Sequence, residues 1–281
     1  MDKIPIRHIT TVQKEPDFPG SFSIRDIRSL LAGEDMLQEL HRHNFFYILA
    51  LKTGTGNHEI DFTPYTIGDN NIFFMRSGQV HQLELKAGST GYLMQFRDDF
   101  YYPHDNASKL LFRKAGKINH YQLNNKLLTA LTYIAEEYAG KQEGYQEAIK
   151  AHISIFFIEL VRQLNESPAA NATLYMQERL EEFLELLETH LFHHKPVAEY
   201  AAMMNLSTYQ LNAITKETLG KTCSELMNEH IILEAKRYLL ATSDQINQIA
   251  DLLGYEDVSY FIRFFKKHTG HSPEAFRNNC R

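Results

Sequence analysis

The stretch GYEDVSYFIRFFKKHTG, Gly254 to Gly270, alternates aromatic rings with cations and closes on a glycine. On a helix, Phe261, Phe264, Phe265 and His268 recur at spacings of three and four and can pack inward, leaving Ser259, Arg263, Lys266 and Lys267 on the remaining surface. The chemistry open to such a face is recognition of a polyanion. A guanidinium can donate two bonds to guanine in the major groove of B-DNA, and a lysine can meet phosphate. A lone basic helix is also what a solvated surface produces, so the reading turns on how the helix is held.

It is held by a unit that the chain uses twice. Val197, Tyr200, Ala201 and Met204 repeat as Ile246, Ile249, Ala250 and Leu253 at an offset of 49 residues. One residue enters the turn, and the offset becomes 50: Leu211 pairs with Phe261, Ile214 with Phe264, Lys216 with Lys266, Gly220 with Gly270 and Leu226 with Phe276. Each copy reads as an apolar helix, a short turn through Asn205 or Gly254, and a second helix opened by Ser207 or Thr208 in one copy and Asp257 in the other. Between them, EHIILEAKRYLLATS reads as a connecting helix that fixes their separation, so that two recognition helices enter successive major-groove segments about 34 Å apart.

The elements upstream have a different period. From about Ser21 to Phe100, short β-branched and aromatic runs (FFYILAL, HEIDF, NIFFM, VHQLEL, GYLMQF) alternate with Gly, Asn and Pro at intervals typical of an all-β barrel or sandwich. After Tyr102 the pattern is helical. Ile149, Ile153, Phe156, Leu160 and Leu164 form a stripe that Ile155, Phe157, Ile158 and Val161 widen, which suits either packing on the β domain or self-association. NESPAANATLY, Asn165 to Tyr175, lacks any apolar period and reads as a linker.

Bulk composition bounds the function classes. A chain of 281 residues with 43% hydrophobic and 23% charged residues suits two folded domains. A net charge of -6 and a pI near 6.2 exclude a protein that coats nucleic acid by bulk attraction, so recognition must come from local geometry. Two cysteines, the absence of an export-signal pattern in MDKIPIRHIT and the absence of a membrane-length apolar run lead us to expect a cytoplasmic protein without a membrane partner.

From Pro196 to Arg277 the chain resembles the AraC/XylS family of bacterial transcription regulators, most specifically in I-A-x-x-L-G-Y, S-Y-F-x-R-x-F-K-K, G-x-S-P and F-R. The resemblance implies a DNA-binding domain of two helix-turn-helix units fused to a variable sensing or dimerisation domain. It implies a second reading surface of Ser259, Ile262, Arg263 and Lys266 and a first of Thr208, Tyr209, Asn212 and Lys216. The family commonly has a basic residue where Ala213 stands and an aromatic where Thr215 stands, which weakens base reading by the first unit.

HRHNFFYILALKTGTGNHEIDF and NIFFMRSGQVHQLEL resemble the cupin-type sensing domain of many members, with Ser77 at a position usually held by proline. By that resemblance His41, His43 and His81 stand where cupin enzymes place metal ligands, but Asn44 to Ala50 supplies no acidic fourth ligand. We therefore expect His41, His43, Tyr47, His58, Gln79 and His81 to line a ligand pocket or close hydrogen bonds in the barrel, with no metal and no cofactor.

The sequence thus leads to a multidomain protein. A cupin-like barrel spans 1–105, a helical and dimerising arm 106–164, a linker 165–175 and an all-α double helix-turn-helix domain 176–281. Its expected partners are double-stranded promoter DNA, RNA polymerase, a small-molecule effector and a second copy of itself, with activation favoured over repression. The rivals are a metal-dependent cupin enzyme with an accessory helical region and a constitutive DNA-binding dimer with an empty barrel.

Overall fold

The computed structural model describes residues 6–7, 21–103, 105–164, 174–193 and 196–279. Contacts divide the chain near residue 165 into two compact units. Of the expected linker, residues 165–173 lie outside the described residues; Leu174 and Tyr175 already belong to a helix.

The first unit is built on two five-stranded sheets. One runs in the order β1 (Ile6–Arg7), β3 (Met36–His43), β8 (Val80–Leu85), β5 (Gly56–Ile60) and β6 (Thr63–Ile67). The other runs β10 (His120–Gln122), β7 (Asn71–Met75), β4 (Phe46–Thr53), β9 (Thr90–Phe96) and β2 (Phe22–Asp26). All pairings are antiparallel except that of β1 with β3. A five-residue helix, α1 (Ile27–Leu31), follows β2, with the Asp26 carboxylate accepting from the Ser29 amide.

Strand β4 explains why the runs FFYILAL and NIFFM do not alternate with polar residues. Tyr47, Leu49 and Leu51 join Phe73, Met75, Leu83 and Leu85 in one core, to which both sheets contribute. Phe46, Ile48 and Ala50 point the other way, into a second core shared with helices. A strand covered on both faces has no solvent side and loses its period-two signal.

Those helices are α2 (Asn106–Ala115), α3 (Asn125–Gly140) and α4 (Tyr145–Val161). The Asp105 and Asn124 side chains cap α2 and α3 by accepting from the Ser108 and Leu127 amides. The α4 stripe packs back: Ile149, Ile153, Phe156, Phe157 and Leu160 are all buried with Phe74 and Phe96 of the sheet, and of its large apolar residues only Ile155, at 47%, is exposed.

The second unit is helical, with α5 (Leu174–His190), α6 (Val197–Met203), α7 (Thr208–Leu219), α8 (Cys223–Ala241), α9 (Ile246–Leu252), α10 (Val258–Thr269) and α11 (Pro273–Asn279). One core binds them, with Phe183 and Leu187 of α5, Leu211 of α7, Ala235 and Leu239 of α8, and Phe261 and Phe265 of α10 all buried. No helix among the described residues is long and apolar enough to cross a membrane.

Candidate DNA interface and histidine cluster

The duplicated unit appears in the structure as duplicated hydrogen bonds. At the end of α6, Met204 N donates to Tyr200 O (3.1 Å), Asn205 N to Ala202 O (3.1 Å) and Leu206 N to Ala201 O (2.8 Å). At the end of α9, Leu253 N, Gly254 N and Tyr255 N donate to Ile249 O, Asp251 O and Ala250 O at 3.0, 2.8 and 2.8 Å. Asn205 and Gly254 both take the left-handed backbone, at φ 54° and 70°, a conformation that asparagine and glycine tolerate best.

The second helices start and stop alike. Ser207 and Gln210 form a reciprocal capping box on α7, and the Asp257 carboxylate accepts from the Ser259 amide on α10. Gly220 and Gly270 end them in the left-handed region, each donating to the carbonyl of Lys216 or Lys266 at 2.9 Å. Thr222 then caps α8 and Ser272 caps α11, again one repeat apart.

On α10 the rings and charges separate as the spacing requires. Phe261 and Phe265 are fully buried and Phe264 half-buried, while Ser259, Ile262, Arg263, Lys266 and Lys267 are exposed. The Arg263 guanidinium lies 3.8 Å from the Asp257 carboxylate, and both side chains remain mostly in solvent, so the pair is a weak tether. His268, expected to pack inward, is exposed and only leans its ring against Phe264 at 4.7 Å. It lies in the last turn, beyond the reach of the core that holds Phe261 and Phe265.

The corresponding face of α7 is less basic. Thr208, Tyr209, Ala213 and Lys216 are exposed, Tyr209 at 83%. Asn212 is half-buried and spent internally: its amide nitrogen donates to Thr208 O (3.0 Å) and its oxygen accepts from Cys223 N (3.0 Å), tying α7 to the start of α8. Thr215 is fully buried and approaches the Cys223 thiol at 3.6 Å, so its departure from the family pattern alters the core and leaves the outer face untouched.

Helix α8 joins the two units, and its 19 residues span about 28 Å at 1.5 Å per residue. The closing F-R of the sequence motif clamps its far end and the loop beyond it: Arg277 donates from Nε to Leu239 O (2.9 Å) and from Nη2 to Asp244 O (2.8 Å). The first of these bonds satisfies a carbonyl where the helix runs out of internal partners, and the second holds the loop that leads to α9. On α10, Tyr260 is also exposed, at 55%; it belongs to the S-Y-F motif but was not among the residues expected to contact DNA.

In the first unit, His41 on β3 and His81 on β8 are directly paired across the strands, and His43 lies two residues on from His41. His41, His43, His58 and His81 are all buried. The His81 Nε2 atom stands 2.7 Å from His43 Nε2 and 3.0 Å from His41 Nε2, while its Nδ1 stands 2.8 Å from His58 Nε2. His41 Nδ1 donates to Glu39 O at 2.7 Å. Tyr47 stacks on His43 with ring centroids 5.3 Å apart, and Phe73 meets His58 edge-on. Burial, with a smaller contribution from the His41 charge, holds His58 down to a pKa of about 3, so it stays neutral.

Gln79 does not join this cluster. Its side chain accepts from Arg76 N (2.7 Å) and Asn119 Nδ2 (3.1 Å) and donates to the Asp61 carboxylate (2.5 Å), which braces a turn. A groove of about 580 Å³ lies beside β3, β5, β6 and β8, with Leu37, Asn57, His58, Tyr65 and Leu83 in its lining. Of the residues expected to line a pocket, it reaches His58 alone.

Comparison with known proteins fits both halves. Residues 200–279 match the model of a helix-turn-helix domain, and residues 32–109 match that of the AraC-like ligand binding domain. The HTH-type transcriptional activator RhaS of Klebsiella pneumoniae (strain 342) is 25% identical over 240 residues, covering 84% of this chain and 86% of that protein. RhaS of Pectobacterium atrosepticum is also 25% identical, over 244 residues, covering 85% and 88%. The crystal structure of ToxT from Vibrio cholerae O395 aligns at 15% identity over 92% of this chain and 97% of that one, with a TM-score of 0.45, too loose to add to these matches.

Proposed function

Because this chain belongs to the AraC type of helix-turn-helix transcription regulators and carries an AraC-like ligand-binding domain, we propose that it activates transcription from promoters it reads by sequence. The observation that carries this reading is the repeated turn, with the same three backbone bonds at Met204–Leu206 and Leu253–Tyr255. Those bonds fix two second helices in equivalent settings, and α10 then presents Arg263, Lys266 and Lys267 to solvent.

In this mechanism α10 is the principal reader. Arg263 donates to a guanine edge, Lys266 and Lys267 meet phosphates, and Ser259 and Ile262 complete the contact. Helix α7 contributes Thr208, Tyr209 and Lys216, with Ala213 offering apolar contact to a thymine methyl. The weak net charge makes geometry decide where the protein stops. Asn212 supports this surface from behind through its bond to the α8 amide.

The first unit acts as the sensor. A small molecule bound there biases the arrangement of the DNA-binding units only if its affinity differs between two arrangements. Dimerisation through the exposed side of α3 and α4, where Tyr133 and Ile155 stand 49% and 47% exposed, presents two such domains to one promoter. Activation by the RhaS relatives supports contact with RNA polymerase and a role without catalysis.

The test is footprinting of the purified full chain on fragments recovered by genome-wide occupancy mapping. Protection of two adjacent major-groove segments on one face of the duplex is expected. Uniform, salt-labile protection with no preferred sequence would overturn the reading.

A further inference from the structure

Three imidazole nitrogens converge on one point inside the first unit. His81 Nε2 has His43 Nε2 at 2.7 Å and His41 Nε2 at 3.0 Å, and the ligand atoms of all three residues lie within 4.8 Å of one another. A neutral imidazole carries one proton. His41 places its proton on Nδ1, where it donates to the Glu39 carbonyl, so its Nε2 presents a lone pair to the cluster. His81 cannot serve both neighbours with a single Nε2 proton as well as two separate hydrogen bonds would. A cation at the centre accepts all three lone pairs together.

The bonds around His41 and His81 are of the kind that orients metal ligands. Histidine ligands characteristically donate their other ring nitrogen to a carbonyl, carboxylate or water, which fixes the tautomer. His41 does this toward Glu39 O. His81 does the same in the tautomer that carries its proton on Nδ1, which stands 2.8 Å from His58 Nε2, and that partner is itself buried between Phe73 and the cluster. We propose that His41, His43 and His81 bind one divalent transition-metal ion and that His58 is a positioning residue which holds the His81 ring.

The distances suit that occupant. Metal–nitrogen bonds of about 2.0–2.1 Å require ligand nitrogens roughly 3.0–3.4 Å apart; the two pairs that include His81, at 2.7 and 3.0 Å, need to spread by only a few tenths of an ångström, and His41 and His43, within 4.8 Å of each other, draw together around the ion. Among the described residues no carboxylate joins the ligand group, and three imidazoles favour Zn²⁺, Co²⁺, Ni²⁺ or Cu²⁺ over the oxygen-seeking Mg²⁺ and Ca²⁺. Because His41 and His43 come from β3 and His81 from β8, the ion ties the two strands together across their irregular stretch between Gln38 and His41. Occupancy therefore stabilises the first unit.

The site is independent of DNA recognition, so its failure would leave the regulator reading intact. The experiment uses the full chain stripped with a chelator, then titrated with Zn²⁺ and Co²⁺ by calorimetry and followed by thermal unfolding. One equivalent is expected to bind, to raise the melting temperature, and with Co²⁺ to give a visible d–d spectrum. X-ray absorption of the loaded wild-type protein should show a first shell with imidazole nitrogens and no sulfur. His43→Gln and His81→Gln should each weaken binding at least a hundredfold, while His58→Gln should retain one equivalent with affinity reduced 10- to 100-fold. The proposal is overturned by a wild-type protein that binds no stoichiometric metal, by sulfur in the first shell, or by folded His43→Gln and His81→Gln variants with unchanged affinity. If those variants do not fold, the wild-type stoichiometry and absorption spectrum decide alone.

Discussion

Gly254 approaches the Phe192 carbonyl so closely that a Cβ at that position would meet its oxygen at 1.8 Å. The turn of the second helix-turn-helix unit is thus pressed against the chain segment that follows α5, in a backbone conformation with φ 70°. Gly254→Ala combines a steric clash with backbone strain and should destabilise the second unit by about 3 kcal/mol or more. Gly270→Ala, where nothing lies within 4 Å of the added carbon, should cost only roughly 1–2 kcal/mol. Denaturant melts of the two variants check the order; equal losses would mean that the Phe192 contact is not made in solution.

Asn212 should behave as a strut. Asn212→Ala leaves the Cys223 amide without its side-chain acceptor and should lower stability by about 1–2 kcal/mol. Affinity should then drop by the same factor on cognate and random duplexes. A loss confined to the cognate sequence, measured by fluorescence anisotropy, would instead make Asn212 a base reader.

Arg263 and Lys266 should separate by the kind of affinity they supply. Arg263→Ala should cost roughly 1–3 kcal/mol on the cognate site and little on random DNA. Lys266→Ala should weaken both and reduce the slope of log affinity against log salt by about one. An arginine variant that weakens both sequences equally would demote Arg263 to a phosphate contact.

Ile155 tests the dimer. It is 47% exposed on a helix whose other large apolar residues are buried or half-buried, so Ile155→Glu should leave the melting of the first unit nearly unchanged. If the proposed dimer forms through this face, sedimentation should show the variant shifted toward monomer relative to the wild type. An unchanged association state would move the contact elsewhere.

Most of the second unit was legible because its signals are local. The offsets of 49 and 50 residues already contained the paired turns, and the hydrogen bonds at Met204–Leu206 and Leu253–Tyr255 are what those spacings require. Side-chain roles within it were less legible. Asn212 and Thr215 sit three residues apart on the same helix, and whether either faces solvent depends on where α8 begins, which the period of α7 does not encode. His268 continued the inward spacing of α10, yet the core ends a turn before it.

The sequence alone determined that an apolar, β-rich first half is followed by a duplicated helical reader, because helix period, caps and turn residues act over a few neighbouring positions. The tertiary structure decided that the α4 stripe folds back on the sheet, that Gln79 braces a turn, and that imidazoles separated by up to 40 positions share one buried centre. Cross-strand register and the close packing of two sheets make that decision, and both arise from pairings between distant segments that no single stretch of chain can specify.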